Sequence, residues 1–386
     1  MIDRDRLART FKTLVEIDSV SREEGRFCAA LREMLEGLGA ETRVDDAGRK
    51  VGADTGNLIA RVPGTVDAPP LLLCAHMDTV EPGRGIRAVL RDGVFTSEGD
   101  TILGADDKSA IAAMLEALRV LRERAVPHGP LELVFTICEE VGLLGARHLD
   151  PGLLGARRGY VLDTWGVDCL ATRSPAANQL AFTVHGREAH AGSAPENGIN
   201  AIWLAAKAIA ALEVMGRVDR ETTCNVGVIE GGRATNIVPD RVRVRAEVRS
   251  HDPAKLRRVT DAMVEAFTSV VEGYRARAGA GSGSLPRVDV EVEGAFPATN
   301  LAEDHPVVVL ARRAAGALGR RIELKATGGG SDANVLQEKG ITAGVLGTGM
   351  YDVHSVRESV SLDDLVRTAE LLVEIVRLHA EEKRGG

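Results

Sequence analysis

Aromatic residues make up only 3% of this 386-residue chain, and cysteine is rarer still, with five. Cys28, Cys74, Cys138, Cys169 and Cys224 are scattered, odd in number and without Cys-x-x-Cys spacing. That pattern excludes a disulfide framework and a thiolate metal site, and reads as reduced, buried thiols in a cytoplasmic protein. No apolar run reaches transmembrane length, and the mixed charges of residues 1–6 do not read as a signal peptide. A Lys/Arg block is missing too. With a net charge of −8 the chain has no basic stripe for nucleic acid and nothing to attract an anionic membrane. Glycine, at 42 residues, is plentiful, which implies many tight turns and close backbone approaches.

The length exceeds what one core usually supports, so two domains are expected. Leu7, Phe11, Leu14 and Val15 have helical spacing, and Ser19 to Glu24 reads as the cap of a second helix reaching Leu38. Leu71 to Ala75 is a short apolar run without alternation, the pattern of a strand buried on both faces, and it runs into His76 and Asp78. Further strands are expected over 56–62, 131–137 and 159–162, a hairpin over 86–95, and a helix through Ile111, Met114, Leu115 and Leu118. This alternation gives an α/β domain with a mostly parallel sheet. Near Ser174 the pattern changes to strand (179–184), helix (198–212), strands (222–230 and 241–249), helix (253–274), a Gly/Ser loop from Ala278 to Ser284, and strand (287–292). That βαββαβ order is a ferredoxin-like, antiparallel unit. A helix through Val308, a strand over 341–346 and a last helix through Leu371 read as a return to the first domain. The expected organisation is therefore 1–175 and 298–386 as one catalytic domain, with 176–297 inserted.

Residues suited to chemistry recur beyond the apolar strands or at a helix start: His76 with Asp78, Asp106 with Asp107, Glu139 with Glu140, Asp163, and His354. Each alone has an ordinary reading as a cap, a solvated face or a core histidine. Their shared placement is what points to a site, because ligands bind outside the carboxyl ends of strands in open α/β sheets. Two imidazoles and several carboxylates, with no cysteine nearby, suit Zn²⁺. Three ligating carboxylates and a hydroxide balance two divalent ions, whereas one ion leaves the pocket strongly negative, so a two-metal site is favoured. Glu139 and Glu140 are adjacent and point in different directions, so one can bind metal while the other handles a proton.

As a set these residues resemble the co-catalytic zinc exopeptidases that include peptidase T, carboxypeptidase G and aminoacylase. The likeness rests on His76-x-Asp78, Leu103-Gly-Ala-Asp106-Asp-Lys108, Glu139-Glu140, Asp163, the His190 to Asn200 stretch, Asn236-Ile-Val-Pro239 and His354-Ser-x-x-Glu358, in the family's order. It implies a three-layer catalytic domain and an inserted lid and dimerisation domain. It also implies two Zn²⁺ per subunit, one on His76, Asp106 and Asp163 and the other on Asp106, Glu140 and His354. By the same likeness Asp78 orients His76, the peptide between Asp106 and Asp107 is cis, and Glu139 is the general base for a zinc-activated water. His190 would reach the oxyanion from the partner subunit of a homodimer. Asn236 and Arg249 are candidates for the polar end of the substrate, and the Gly328 to Asn334 loop, with Gly329 and Ser331, for backbone contacts to it. Ala105-Asp-Asp-Lys108 and Gly329-Gly-Ser-Asp332 look most like the peptidase T branch, which implies an aminopeptidase acting on short peptides. The alternatives are a carboxypeptidase or N-acyl-amino-acid deacylase on the same scaffold, and a protein that only captures metal or ligand.

Overall fold

Every residue of the strand Leu71–His76 is buried, and its apolar side chains alternate between two cores. Leu71, Leu73 and Ala75 enter one, while Leu72 and Cys74 enter the other. A strand with apolar contacts on both faces belongs in the middle of a covered sheet. In the computed structural model, which describes residues 2–213, 215–278 and 284–381, it lies there. The sheet runs Glu41–Val44, Leu58–Val62, Leu131–Thr136, Leu71–His76, Arg158–Thr164, Thr342–Gly347, Cys169–Ser174, Thr299–Asn300, with Glu323–Ala326 also paired to Cys169–Ser174. The four strands from Leu131–Thr136 to Thr342–Gly347 are parallel. Their neighbours on either side, Leu58–Val62 and Cys169–Ser174, are antiparallel to them, so the sheet is mixed.

Helices cover both faces. Leu7, Phe27, Ile111, Leu310 and Leu372, from five different helices, fill the larger core with the odd-numbered side chains of Leu71–His76. Ala333 and Leu336 of the short helix Asp332–Glu338 meet the even-numbered ones. This is the three-layer α/β arrangement expected from the alternation of strand and helix. Register then aligns the strand ends. His76 pairs with Thr136, Cys74 with Val161 and Gly347 with Thr164, so the segments that follow all leave from one edge of the sheet.

The chain divides into two compact units: Met1–Arg173 with Thr299–Thr327 and Ser331–Gly386, and Ser174–Ala298 with Gly328–Gly330. The second has a five-stranded antiparallel sheet in the order Gly216–Asp219, Thr222–Gly231, Arg241–Ser250, Ala176–His185, Arg287–Phe296. Helices Ala201–Ala210 and Pro253–Ala278 pack against one face of it, where Phe182 stacks on Phe267 with ring centroids 3.9 Å apart. The Gly/Ser loop expected from Ala278 to Ser284 falls mostly on 279–283, outside the described residues. Among the described residues no helix is long and apolar enough to cross a membrane, and the five cysteines are buried with no disulfide between them.

Some local expectations fail for physical reasons. Ser19 and Ser21 do not cap the second helix, which begins at Gly25 after Glu24. The Ser19 hydroxyl donates to the Met77 carbonyl at 2.8 Å and the Ser21 hydroxyl to Asp78 Oδ2 at 2.6 Å, so both hold the loop behind His76. Strand Glu41–Val44 is not among the expected elements because it is a mostly exposed edge of four residues, with little apolar pattern. Helix Asp332–Glu338 is only seven residues long and follows three glycines.

Candidate metal centre

The sequence candidates of the first unit converge at that aligned sheet edge. His76 closes its strand, and its Nδ1 meets the Asp78 carbonyl at 2.9 Å, which turns Nε2 toward Asp106 Oδ1 at 3.1 Å. The other oxygen of Asp106, Oδ2, lies 3.2 Å from His354 Nε2, and that nitrogen also sits 2.9 Å from Glu140 Oε1. Asp106 therefore faces one histidine with each carboxylate oxygen. One ligand atom each of His76, Asp106 and Glu140 fall within 4.8 Å of one another, as do those of His76, Glu139 and Asp163.

Backbone geometry and buried carboxylates fix these positions. The chain leaves helical geometry at Asp106 and Asp107, at the start of helix Ala105–Glu123, and the peptide between them is cis. Asp78 accepts the Glu139 N–H at 2.9 Å on Oδ1 and the Glu140 N–H at 3.2 Å on Oδ2, so it orients the paired glutamates as well as flanking His76. Glu358 accepts the N–H groups of Leu103 and Gly104, each at 2.7 Å, and that of Asp106 at 2.9 Å. The segment leading to His354 needs Gly349 at φ +85°, where its N–H donates to the Gly166 carbonyl at 2.7 Å and a Cβ would lie 2.3 Å from Asp364 Cβ.

Electrostatics supply the test of whether these residues fit a cation. Burial, aided by the negative charge of Asp163, raises the Glu139 pKa well above the usual carboxylate range. Burial and Asp106 do the same to Asp163, and burial also raises Glu140. For Asp106 burial opposes ionisation, but hydrogen bonds from His354 and His76 prevail and its pKa is lowered. Hydrogen bonds to Asp106 and Glu140 push His354 up to about 10. Burial opposes charging of His76, yet Asp106 and Asp78 still raise it well above normal. Beneath lie two more buried acids, Asp107 and Asp332, each with one oxygen that lacks a hydrogen-bond partner among the described residues. Protons on the two imidazoles offset part of this crowding, and a divalent cation on the same oxygen and nitrogen donors meets the same need, so the donor set fits Zn²⁺.

The candidates of the second unit form two small groups. Ala189–His190 pairs with Ile237–Val238, and the Ala191 N–H donates to the Asn236 carbonyl at 2.9 Å, which brings His190 beside Asn236. His190 Nδ1 accepts the N–H groups of Gly192 at 3.2 Å and Ser193 at 3.1 Å. Arg249 does not stand free: it grips Glu247 through two bonds of 3.0 and 3.1 Å and reaches the Gly328 carbonyl at 3.4 Å, beside Gly329. In the first unit the Ser331 N–H is already taken by Asn334 Oδ1 at 2.9 Å.

Two supporting residues had no role assigned from sequence. Glu358 belongs to the His354 motif without a stated task, and its burial as a backbone acceptor leaves no local signal in the sequence. Glu24, fully buried, accepts the Cys138 N–H at 2.9 Å just before Glu139; in sequence it was indistinguishable from a helix cap.

Along its whole length the chain is similar to known peptidases. The chain is 40% identical to the aminopeptidase PepT structure from Bacillus cereus ATCC 10987, covering 99% of this chain and all of that one, with a TM-score of 0.86. A tripeptidase structure from Staphylococcus aureus subsp. aureus Mu50 matches at 36% identity and a TM-score of 0.90, covering 99% of this chain and all of that one. Peptidase T of Escherichia coli O9:H4 (strain HS) is 28% identical over 425 residues, covering 98% of this chain and all of the relative. Residues 72–378 match the model of peptidase family M20/M25/M40. With that match over most of its length the chain belongs to peptidase family M20/M25/M40, and it is a metal-dependent peptide hydrolase.

Proposed function

We propose that the chain is a dizinc aminopeptidase of peptidase T type that removes the N-terminal residue of short peptides. The observation that carries the two-metal part is Asp106, whose Oδ1 and Oδ2 each face a different histidine, the arrangement a bridging carboxylate requires. One Zn²⁺ would be held by His76, Asp106 and Asp163, and the other by Asp106, Glu140 and His354. The distance groups cut across this division, since Glu140 approaches His76 and Glu139 approaches Asp163. The division is preferred because it uses both oxygens of Asp106 and leaves Glu139 free for proton transfer. When bound, the ions supply Lewis acidity toward the scissile carbonyl and acidify the attacking water.

Glu139 is the group placed to move the proton. It takes one from the attacking water and returns it to the departing amine, a role typically worth ~10²–10⁴-fold in rate. Asp78 keeps its carboxyl in position by accepting the Glu139 N–H. At His190 the two backbone N–H groups on Nδ1 favour the tautomer with its proton on Nε2, which can then donate to the oxyanion. We assign that donation to a partner subunit, with the unit around 176–297 as lid and dimer interface. Asn236, Arg249, Gly329 and Ser331 are assigned to the polar end of the peptide. Five buried cysteines with no disulfide between them support a cytoplasmic setting.

The reading as an aminopeptidase draws on the likeness to PepT and to the tripeptidase. A panel of free-amino tripeptides, N-acetylated tripeptides and N-acyl amino acids tests it. Release of the N-terminal residue from the free tripeptides, with the acylated compounds left intact, is expected. Hydrolysis confined to acylated compounds would replace the aminopeptidase with a deacylase or carboxypeptidase.

A further inference from the structure

The sheet of the second unit is covered by helices on one face, and its other face is not flat. Along Arg241–Ser250 the residues Val242, Val244, Ala246 and Val248 enter the core, so Arg243, Arg245 and Glu247 stand together on the opposite side. Small residues flank them. Ala181 pairs with Arg245 on one neighbouring strand, and on the other the register slips between Val226 and Val228 so that Gly227 bulges out of the ladder. Bulges of this kind re-aim side chains and are common beside binding sites. Together these features open a cavity of about 380 Å³, floored by Ala181 and Gly227, within the size range of small-molecule sites.

The charges around this cavity are not all matched. Arg243 has Glu291 at 3.4 Å, and Glu247 is held by Arg249. The Arg245 guanidinium has no ion pair or hydrogen bond among the described residues, and neither do the side chains of Asn225 and Gln179 beside it. A planar fork of N–H donors next to two carboxamides suits a carboxylate. Glu247, Glu291 and Glu293 also line the cavity, so a multiply charged anion meets repulsion there, whereas a carboxylate whose molecule carries an ammonium does not.

We propose that this cavity binds the carboxylate of a zwitterionic amino acid or short peptide, with Arg245 as the anchor. The choice of peptide as carrier rests on the peptidase reading; the carboxylate site itself does not. The test is amide hydrogen exchange on the full-length Glu139→Gln protein, followed at Asn225 to Val228 and Arg243 to Glu247, with triglycine, triglycine amide, glycine and inorganic phosphate as probes. Triglycine is expected to slow exchange in both segments while the amide and phosphate do not. Protection by glycine at the same concentration assigns the site to products, and protection by triglycine alone assigns it to substrates. Arg245→Ala should raise the half-protecting concentration about tenfold or more, as expected for losing a charged hydrogen-bond partner, with Arg245→Lys in between. Equal protection by the amide or by phosphate, no protection by triglycine, or an Arg245→Ala protein that responds like its parent would overturn the proposal. Protection in a chain that hydrolyses no peptide would keep the site and remove only the peptidase reading.

Discussion

The carboxylate of Glu358 accepts the backbone N–H of Asp106 at 2.9 Å, and four residues earlier the same segment carries His354, whose Nε2 lies 3.2 Å from the Asp106 side chain. The two loops that bring Asp106 and His354 together are thus joined by a buried acid, which also accepts the N–H groups of Leu103 and Gly104. Glu358→Gln replaces one of its acceptor oxygens with a donor, so at least one buried N–H loses its partner. A loss of ~1–3 kcal/mol in unfolding free energy is expected, together with weaker metal retention. Denaturant unfolding and competition with a chelator check both, and a variant equal to wild type in each would remove Glu358 from this role.

Glu139→Gln keeps the volume of the side chain and removes its basicity. Peptide hydrolysis should fall by ~10²–10⁴-fold, while metal content by elemental analysis stays at the wild-type level because Glu139 is not assigned as a ligand. Turnover near wild type would assign the proton transfer elsewhere.

Lys108 is fully buried beside the candidate ligands, with Nζ donating to the Ile17 carbonyl at 2.7 Å and lying 4.7 Å from the centre of the Phe27 ring. Burial lowers its pKa to about 7, against the pull of Asp18 and Glu358, whereas an unfolded lysine titrates near ~10.4. Between these values the unfolded state binds more protons, so this group makes stability rise with pH, and its penalty is fully present below the folded value. The unfolding free energy of wild type relative to Lys108→Met should therefore improve from pH 7 to pH 10. A pH-independent difference between the two proteins would show that the lysine is charged in the folded state.

His190→Ala and Glu139→Gln are each expected to be inactive alone. If His190 serves the site of a partner subunit, mixing the two under conditions of subunit exchange restores part of the activity, since one hybrid site then has both groups intact. Demonstrated exchange without recovery would place His190 in the site of its own chain.

Much of the first unit was legible in the sequence because its signals are periodic. Leu71 to Ala75 announced a strand buried on both faces, the stripe through Ile111, Met114, Leu115 and Leu118 announced a helix, and both occur where expected. The convergence of His76, Asp106, Glu140 and His354 followed from their positions beyond such elements. What the pattern did not carry was the work of side chains that bond to distant backbone. Ser19 and Ser21 look like helix caps and instead hold the loop at Met77 and Asp78, while Glu24 looks like part of the same cap, Glu358 has no task in its motif, and both are buried acceptors. Such contacts depend on tertiary register and leave no local periodicity. The Arg249–Glu247 pair was hidden for another reason: alternation in Arg241–Ser250 says which face a side chain takes, not which neighbour it finds there.

Metal titration of the full-length protein bears most directly on the central claim, that Asp106 joins two ions into one hydrolytic site. The chain is stripped with a chelator, dialysed against graded Zn²⁺, and assayed for bound metal and for hydrolysis of a free-amino tripeptide on the same samples. No hydrolysis without metal, about two ions bound per chain at saturation, consistent with the two-metal class of site, and loss of the second ion in Asp106→Ala are expected. Full hydrolysis by the stripped protein, or saturation of activity at one ion per chain with Asp106→Ala unchanged, would contradict the claim.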